Sequence, residues 1–284
     1  MITRFAPSPT GQLHLGHAYA ALFAYELALD NGGRFLLRFE DIDSTRVRDR
    51  YYLAIEQDLA WLGIHWNGTP IRQTDRLPSY TESLNKLKSM GVAYPCFCTR
   101  REIQQELKTM IHAPHSHNEG EHDAVYPGTC RNLSPMERAE RIEQEQAHCW
   151  RLNANRAADL TGPLDFEDKI KGVINVEPFL LGDVVLARKD IATSYHLAVV
   201  TDDYFQEVTD VTRGEDLLSS THVHRLLQSL LNLNVPVYHH HQLIKDDAGK
   251  RLAKRDEALS LAALRQQGTS SEEVLKMLSH SLEA

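Results

Sequence analysis

His14 and His17, with Gly16 between them, follow a loop broken by Pro7, Pro9 and Gly11. A helix N-terminus presents free N–H groups and the positive end of the helix dipole, so two imidazoles there can hydrogen-bond a phosphate while a glycine lets backbone come close. Taken alone, such a motif reads equally as two surface histidines on a first helical turn. Near the other end, Lys250-Arg251-Leu252-Ala253-Lys254-Arg255 follow Asp246-Asp247-Ala248-Gly249. A basic loop of this kind can close over a polyphosphate and neutralise charge developing on it, though by itself it is a solvated turn. The third chemical signal is sulfur. Cys96 and Cys98 are too close for an ordinary disulfide, and with Cys130 they offer three thiolates, good ligands for a structural Zn²⁺. Ligand chemistry leaves the fourth position to Cys149 or to one of His112, His115, His117 and His122. Tyr126 is a poor ligand by that logic, since a phenol of pKa ~10 must lose its proton to bind. The run His239-His240-His241 reads as exposed and able to take up adventitious metal.

These residues need elements to hold them. Thr3 to Ala6 reads as a strand. His14 to Leu29 carries Leu15, Ala18, Leu22 and Tyr25 at helical spacing, and Asn31-Gly32-Gly33 ends that helix. Arg34 to Glu40 is a second strand, so the order is βαβ and the sheet is parallel. Helices are expected over Arg48 to Leu62 and Arg76 to Met90, and an extended segment over Tyr94 to Cys98. Met110 to Ala124, rich in His, Asn, Gly and Glu, reads as an exposed loop. Ser134-Pro135-x-Glu137 is a helix start, with Ser as N-cap and Glu three residues on. After Cys149 short strands alternate with helices, and the residues from Arg255 onward are helical and mostly polar.

Composition bounds the rest. With 284 residues, 42% of them apolar and 25% charged, the chain can build its own core and is neither collagen, coiled coil nor wholly disordered. No apolar run approaches the ~20 residues of a membrane helix, so no membrane partner is expected. The start, Ile2 to Pro7, lacks the apolar stretch of a secretory signal. Clustered thiols without such a signal point to the cytoplasm. Nothing marks an interface, so a monomer is expected. The formal net charge of −8 excludes a broad basic footprint, so any nucleic acid must be met by a local patch. Arg46, Arg48, Arg50 and Lys250 to Arg255 are the candidates for that patch.

Taken together, the two phosphate signals resemble those of a known family. HLGH at 14–17 is similar to the HIGH signature of class I aminoacyl-tRNA synthetases, and RLAKR at 251–255 to their KMSKS loop. RFAPSPTG at 4–11, RFEDID at 38–43, SYHLAVVTDD at 194–203 and VTRGEDL at 211–217 resemble the glutamyl-tRNA synthetase group more narrowly, in the family's order. The resemblance implies an α/β fold: a Rossmann-type parallel sheet with an inserted zinc-binding, acceptor-like subdomain and a small helical C-terminal part. The expected division is 1–95 and 193–256 for the catalytic halves, 96–192 for the insert and 257–284 for the helical end. It also implies activation of L-glutamate by ATP, with Mg²⁺ accompanying the nucleotide. Arg4 and Arg213 are then candidate carboxylate binders, because guanidinium pairs bidentately with carboxylate. Glu40 is the candidate partner of the ammonium, and Ala6, Ser8 and Tyr195 complete the glutamate pocket. Asp41 and Asp43 brace the turn. His14, Gly16, His17, Arg251 and Lys254 bind ATP, with His14, His17 and Lys254 the catalytic group.

The pattern CxC followed by YxxxC resembles the zinc pattern of the shortened glutamyl-queuosine tRNA(Asp) synthetases, in which tyrosine is the fourth ligand. That implies one structural Zn²⁺ on Cys96, Cys98, Tyr126 and Cys130. Full glutamyl enzymes carry an anticodon-binding region after the KMSKS loop, and the residues after Arg255 are too few for it. They also usually carry asparagine where this chain has Val199. The first Lys and the Ser of the loop are replaced by Arg251 and Ala253, keeping a charge and losing a hydroxyl. The shortened group attaches glutamate to queuosine in the anticodon of tRNA(Asp), which becomes the expected partner. The alternatives are a trimmed glutamyl-tRNA synthetase charging the 3′ end of tRNA(Glu), and a non-catalytic tRNA-binding paralogue.

Overall fold

Strand β1 (Ile2–Phe5) pairs in parallel with β2 (Arg34–Phe39), Ile2 opposite Arg34 and Phe5 opposite Leu37. The crossover between them is helix α1 (Leu15–Asp30). Its buried residues include Ala18, Ala21, Ala24 and Ala28, and side chains this small let the helix lie close on the sheet. Gly32, at φ +59°, turns the chain out of the helix in the left-handed region where glycine is strain-free. Helix α2 (Asp49–Trp61) follows, and then β3 (Ile71–Arg72), which extends the sheet in parallel beyond β2. The computed structural model describes residues 1–111, 125–243 and 260–280, the side chains at 106–111 and 279–280 excepted. Arg251, Lys254 and the rest of the basic run, and His112, His115, His117 and His122, lie outside the described residues.

Helix α3 (Leu77–Ser89) leads into β4 (Ala93–Cys96), and helix α4 (Arg100–Ile111) follows. Sequence reading places a loop from Met110. The helix instead runs through Ile111, started by a reciprocal cap between Thr99 and Glu102. Helix α5 (Pro135–Glu143) begins at the Ser134–Glu137 capping box, as its sequence predicts. Strands β4, β5 (Cys149–Leu152) and, beyond helix α6 (Ala154–Thr161), β6 (Asp165–Asp168), β7 (Gly172–Asn175) and β8 (Val185–Ala187) complete the middle of the chain. β4, β5 and β8 form a separate antiparallel sheet, with Cys96 opposite Cys149.

Helix α7 (Tyr195–Phe205), β9 (Asp210–Gly214), α8 (Leu218–Leu231) and β10 (Val237–His241) build the second half. β10 lies between β9 and β6, parallel to both, and β7 closes the edge antiparallel to β6. The stretch 96–192 therefore also contributes two strands to the main sheet. Ile2 bonds Thr209 through its carbonyl (3.0 Å) and its N–H (2.7 Å), and Arg4 reaches Thr212, so β1 and β9 run side by side in the same direction. The strand order is then β3-β2-β1-β9-β10-β6-β7. The order reverses between β1 and β9, and ligands of open α/β sheets bind at the carboxyl ends of the strands flanking such a reversal. Helices α9 (Leu261–Gln266) and α10 (Ser271–His280) return to the first half, where Leu261, Leu264, Val274 and Leu278 join the core of Phe5, Leu37 and Ile55.

One expectation fails outright. His239, His240 and His241 are buried, not exposed. They sit on a central strand covered on both faces, and a parallel strand in that position buries every residue.

Candidate active site

The carboxyl end of β1 carries Ala6 to Ser8, that of β2 Glu40, and that of β9 Arg213. The backbone N–H of Glu40 donates to the Pro7 carbonyl (3.0 Å), which brings the first two together. Beside them His14 is the N-cap of α1. Its Nδ1 accepts from Gly16 N–H (3.1 Å), and Nδ1 of His17 accepts in return from His14 N–H (3.3 Å). A neutral imidazole that accepts at Nδ1 carries its proton on Nε2. The capping geometry therefore makes both Nε2 atoms donors, with ring centroids 3.8 Å apart, at a positive helix end. Ser260 bridges to His14, and Leu261 N–H donates to the Leu13 carbonyl (2.9 Å). The chain on the far side of the basic run is thus tied to the histidine motif.

The two arginines differ. Arg4 is buried and forks onto Asp203 of α7, with Nε–Oδ1 at 2.9 Å and Nη2–Oδ2 at 3.4 Å, and it also donates to the Thr212 carbonyl. Arg213, only 6% exposed, donates to His240 Nε2 (3.1 Å), Tyr195 Oη (3.3 Å), His224 Nδ1 (3.2 Å) and Thr221 Oγ1 (2.5 Å). Among the described residues Arg213 forms no ion pair, so a buried positive charge faces the crevice with neutral partners alone. An uncompensated buried charge is costly, and an anionic ligand relieves that cost. Glu40 is paired with Arg38 (3.5 Å), yet burial pushes its carboxyl up against the pull of Arg38 and Arg4. The Tyr195 phenol, raised by burial, feels Arg213, Glu40 and Arg4 together. The side chain of Ser8 is exposed at the mouth and Ala6 is half-buried. Val199 packs in the apolar core of the second half.

Asp41 braces the turn, accepting from Tyr52 Oη (2.6 Å), Thr74 N–H (2.8 Å) and Thr74 Oγ1 (2.9 Å). Asp43 accepts from Thr45 Oγ1 (2.6 Å). Reading by motif leaves several residues without a role. Arg38 is buried against Asp203 (2.8 Å). Asp202 takes Gln73, Tyr80 and Arg76, which locks α7 to α3 and the turn before it. The paired acids inside SYHLAVVTDD are the signal that could have found them. A cleft of about 740 Å³ adjoins the histidines, lined by Gly11, His14, Arg46, Arg50, Tyr51 and Ser260 among others. Arg46, Arg48 and Arg50 are all exposed there or beside it.

The thiols converge on a second centre. The Sγ atoms of Cys96, Cys98 and Cys130 lie within 4.8 Å of one another. Tyr126 Oη is 3.4 Å from Cys96 Sγ and 3.5 Å from Cys98 Sγ. A tetrahedral zinc with bonds of ~2.3 Å spaces its ligand atoms roughly 3.8 Å apart, so this donor set fits the ion. Donation from Cys130 and Cys149 holds the Cys96 thiol well below the usual thiol range. The Arg151 guanidinium lies 4.0 Å over the Tyr126 ring, where it offsets negative charge on the cluster.

Residues 1–281 match the family of class I tRNA synthetases (E and Q), catalytic domain. A glutamyl-Q tRNA(Asp) synthetase of Rhodobacter capsulatus is 47% identical over 98% of this chain and 99% of its own length. One from Nocardia farcinica is 43% identical over 98% of this chain and 84% of its own. Among solved structures, a glutamate tRNA ligase of Elizabethkingia meningosepticum in complex with its amino acid superposes with a TM-score of 0.77 at 30% identity. That match covers 90% of this chain and 52% of the ligase, so the chain spans about half the length of the solved ligase.

Proposed function

The chain belongs to the class I tRNA synthetases of the glutamate and glutamine group, and on that premise we propose that it activates L-glutamate with ATP and passes the glutamyl group to queuosine in tRNA(Asp). The observation that carries the glutamate half is Arg213, a buried guanidinium with neutral partners in the crevice that also holds Glu40, Tyr195 and Arg4. Arg213 takes one carboxylate of the substrate, Arg4, forked onto Asp203, has only its remaining N–H groups for the other, Glu40 meets the ammonium, and Tyr195, Ser8 and Ala6 form the remaining walls. The α-carboxylate attacks the α-phosphorus of ATP in line. The bond to the β-phosphate bridging oxygen breaks, and pyrophosphate leaves glutamyl-adenylate. The two Nε2–H groups of His14 and His17 meet the phosphate oxygens where negative charge grows. Gly16 keeps the backbone approach open, and Arg251 and Lys254 neutralise the phosphates from the basic run. Mg²⁺ accompanies the nucleotide. A cyclopentenediol hydroxyl of queuosine then attacks the activated carbonyl, and AMP departs with the bonding pair.

The acceptor half is supported by the relatives from R. capsulatus and N. farcinica, whose name specifies it and whose sequences align with nearly all of this chain. Cys96, Cys98, Tyr126 and Cys130 would hold one structural zinc, which ties β4 to the turn at Thr129–Asn132 and takes no part in the reaction. Within this reading, 1–95 and 193–256 are the catalytic halves, 96–192 the connective insert and 257–284 the helical end. The second reading, charging of tRNA(Glu), is favoured by the likeness to the Elizabethkingia ligase. Transfer of labelled glutamate to tRNA(Asp) with queuosine, tRNA(Asp) with guanosine and tRNA(Glu) separates the two. Label on the queuosine sample alone is the expected result. Label on tRNA(Glu) establishes the second reading, and no glutamate-dependent ATP–pyrophosphate exchange leaves a binding module.

A further inference from the structure

Arg213 and Arg4 meet at one crevice but are held in opposite ways. Arg4 spends its charge on a carboxylate in direct contact, Asp203. Arg213 has its carboxylate one residue further away. Its Nε–H donates to Nε2 of His240, the residue opposite it across the β9–β10 pairing. A neutral imidazole accepts at Nε2 when its proton sits on Nδ1. That Nδ1 lies 2.5 Å from Asp168 Oδ2 on β6, the strand on the other side. Asp168 is 1% exposed and also accepts the backbone N–H groups of His240 (3.1 Å), Ile170 (2.9 Å) and Lys171 (2.8 Å). Burial works against its charge, but the imidazole and those backbone donors outweigh it and hold the carboxyl below its usual range. A carboxylate so fixed dictates which nitrogen of His240 is protonated, and hence that the lone pair faces Arg213. Burial and the adjacent guanidinium lower His240 to about 4, so it carries no charge of its own at neutral pH. Thr221 Oγ1 accepts from the guanidinium Nη2 and also lies 3.0 Å from the same His240 Nε2, tying the imidazole to the fork a second time, while His224 accepts at Nη1.

We propose that Asp168 and His240 are positioning residues for Arg213: a carboxylate–imidazole–guanidinium chain fixes the plane of the fork and leaves its positive charge to the substrate's carboxylate. This rests on the reading of Arg213 as a glutamate binder. A directly paired arginine would have to exchange one carboxylate for another on binding. An arginine oriented through a neutral imidazole keeps its charge uncompensated and its geometry fixed.

The experiment is ATP–pyrophosphate exchange with glutamate and ATP varied in turn and glutamine as competitor, on His240→Leu, His240→Gln, Asp168→Asn and Arg213→Lys. His240→Leu is expected to raise the glutamate KM about tenfold or more, the scale of a hydrogen bond to a charged group. The ATP KM should stay within about twofold, and discrimination against glutamine should fall. In His240→Gln, Oε1 replaces Nε2 as acceptor and should restore the glutamate KM to within about threefold. In Asp168→Asn the amide NH₂ turns the imidazole around, so the glutamate KM should rise as in His240→Leu. Should the leucine variant not fold, the contrast between His240→Gln and Asp168→Asn decides. An unchanged glutamate KM in a folded His240→Leu or Asp168→Asn overturns the proposal. So does an equal rise of both KM values in His240→Leu and His240→Gln, the mark of a merely structural role. If Arg213→Lys leaves the glutamate KM unchanged, the reading of Arg213 falls first and the proposal with it. If Arg213→Lys is impaired while both neighbours are indifferent, the proposal alone falls.

Discussion

The capping of α1 gives His14 and His17 two tasks at once, since the Nδ1 atoms that satisfy backbone N–H groups also fix the tautomer that donates outward. In the proposed reaction, replacing His17 by Ala removes one donor from the phosphate site. The kcat of ATP–pyrophosphate exchange is expected to fall about 10²–10³-fold, the range for losing one such donor. The glutamate KM should stay within about threefold, because Arg213 is untouched. A fall in helix stability comparable to a lost cap, about 1 kcal/mol, accompanies it and is read by urea unfolding. These residues were legible in the sequence because motif and helix start coincide. The neighbours that hold Arg213 were not. His240 and Asp168 come together only when β10 is laid between β9 and β6, and no local spacing encodes that pairing. The histidine run looked polar and therefore exposed. Its placement on a central strand, with Asp210 on His239 and Asp168 on His240, is a tertiary fact.

Two elements carry tests of their own. Helix α9 is joined to α2 through Arg265, whose Nη2 is 3.4 Å from Asp58 Oδ1, while both Asp58 oxygens are buried without a hydrogen-bond partner. Burial raises the Asp58 carboxyl to about 6, against the opposing pull of Arg265. The folded chain therefore holds this proton more tightly than the unfolded chain, whose carboxyl titrates near 4. Stability due to this group falls as pH rises from about 4 to about 6 and is level above that. Asp58→Asn mimics the protonated form, so relative to the parent it should gain roughly 2–3 kcal/mol at pH 7 and nothing at pH 4. Urea unfolding at the two pH values checks this, and a loss at pH 7 would mean that the Arg265 pair outweighs the desolvation. The second element is the turn at Thr129–Asn132 against β4. Cys130→Ser should cut bound zinc by at least tenfold in elemental analysis and lower Tm, since metal affinity is folding energy in such sites. The αβ order, the cap at Ser134 and the ends of α2 and α3 were readable from periodicity and turn residues. The extent of α4 was not, because its sequence is polar and amphipathic and carries few apolar residues to mark a helix.

Across the whole molecule, a formal charge of −8 must coexist with binding of a polyanion. The acidic side chains near the crevice are largely spent internally: Asp41, Asp202 and Asp203 are buried and paired. Asp202 and Asp203 neutralise Arg76, Arg4 and Arg38, Asp41 is held by Tyr52 and Thr74, and all three add little to the outward field. Arg46 and Arg50 line the open cleft beside the histidine motif, and Arg50 lies 4.9 Å over the ring of Tyr51. A cationic and aromatic rim of this kind suits a looped, single-stranded nucleic acid, where phosphates are neutralised and a base can stack. If this is the nucleic-acid face, its contribution is electrostatic and carries a salt signature. Each phosphate contact on a single strand contributes about −0.7 to the slope of log K against log salt. The double variant Arg46→Ala/Arg50→Ala should therefore flatten the slope for tRNA(Asp) by about 1.4, if each side chain meets one phosphate. It should leave the glutamate KM of ATP–pyrophosphate exchange within about twofold, since neither side chain is a hydrogen-bond partner of Arg213. Filter binding at several salt concentrations gives the slope. An unchanged slope would mean that Arg46 and Arg50 do not meet the nucleic acid.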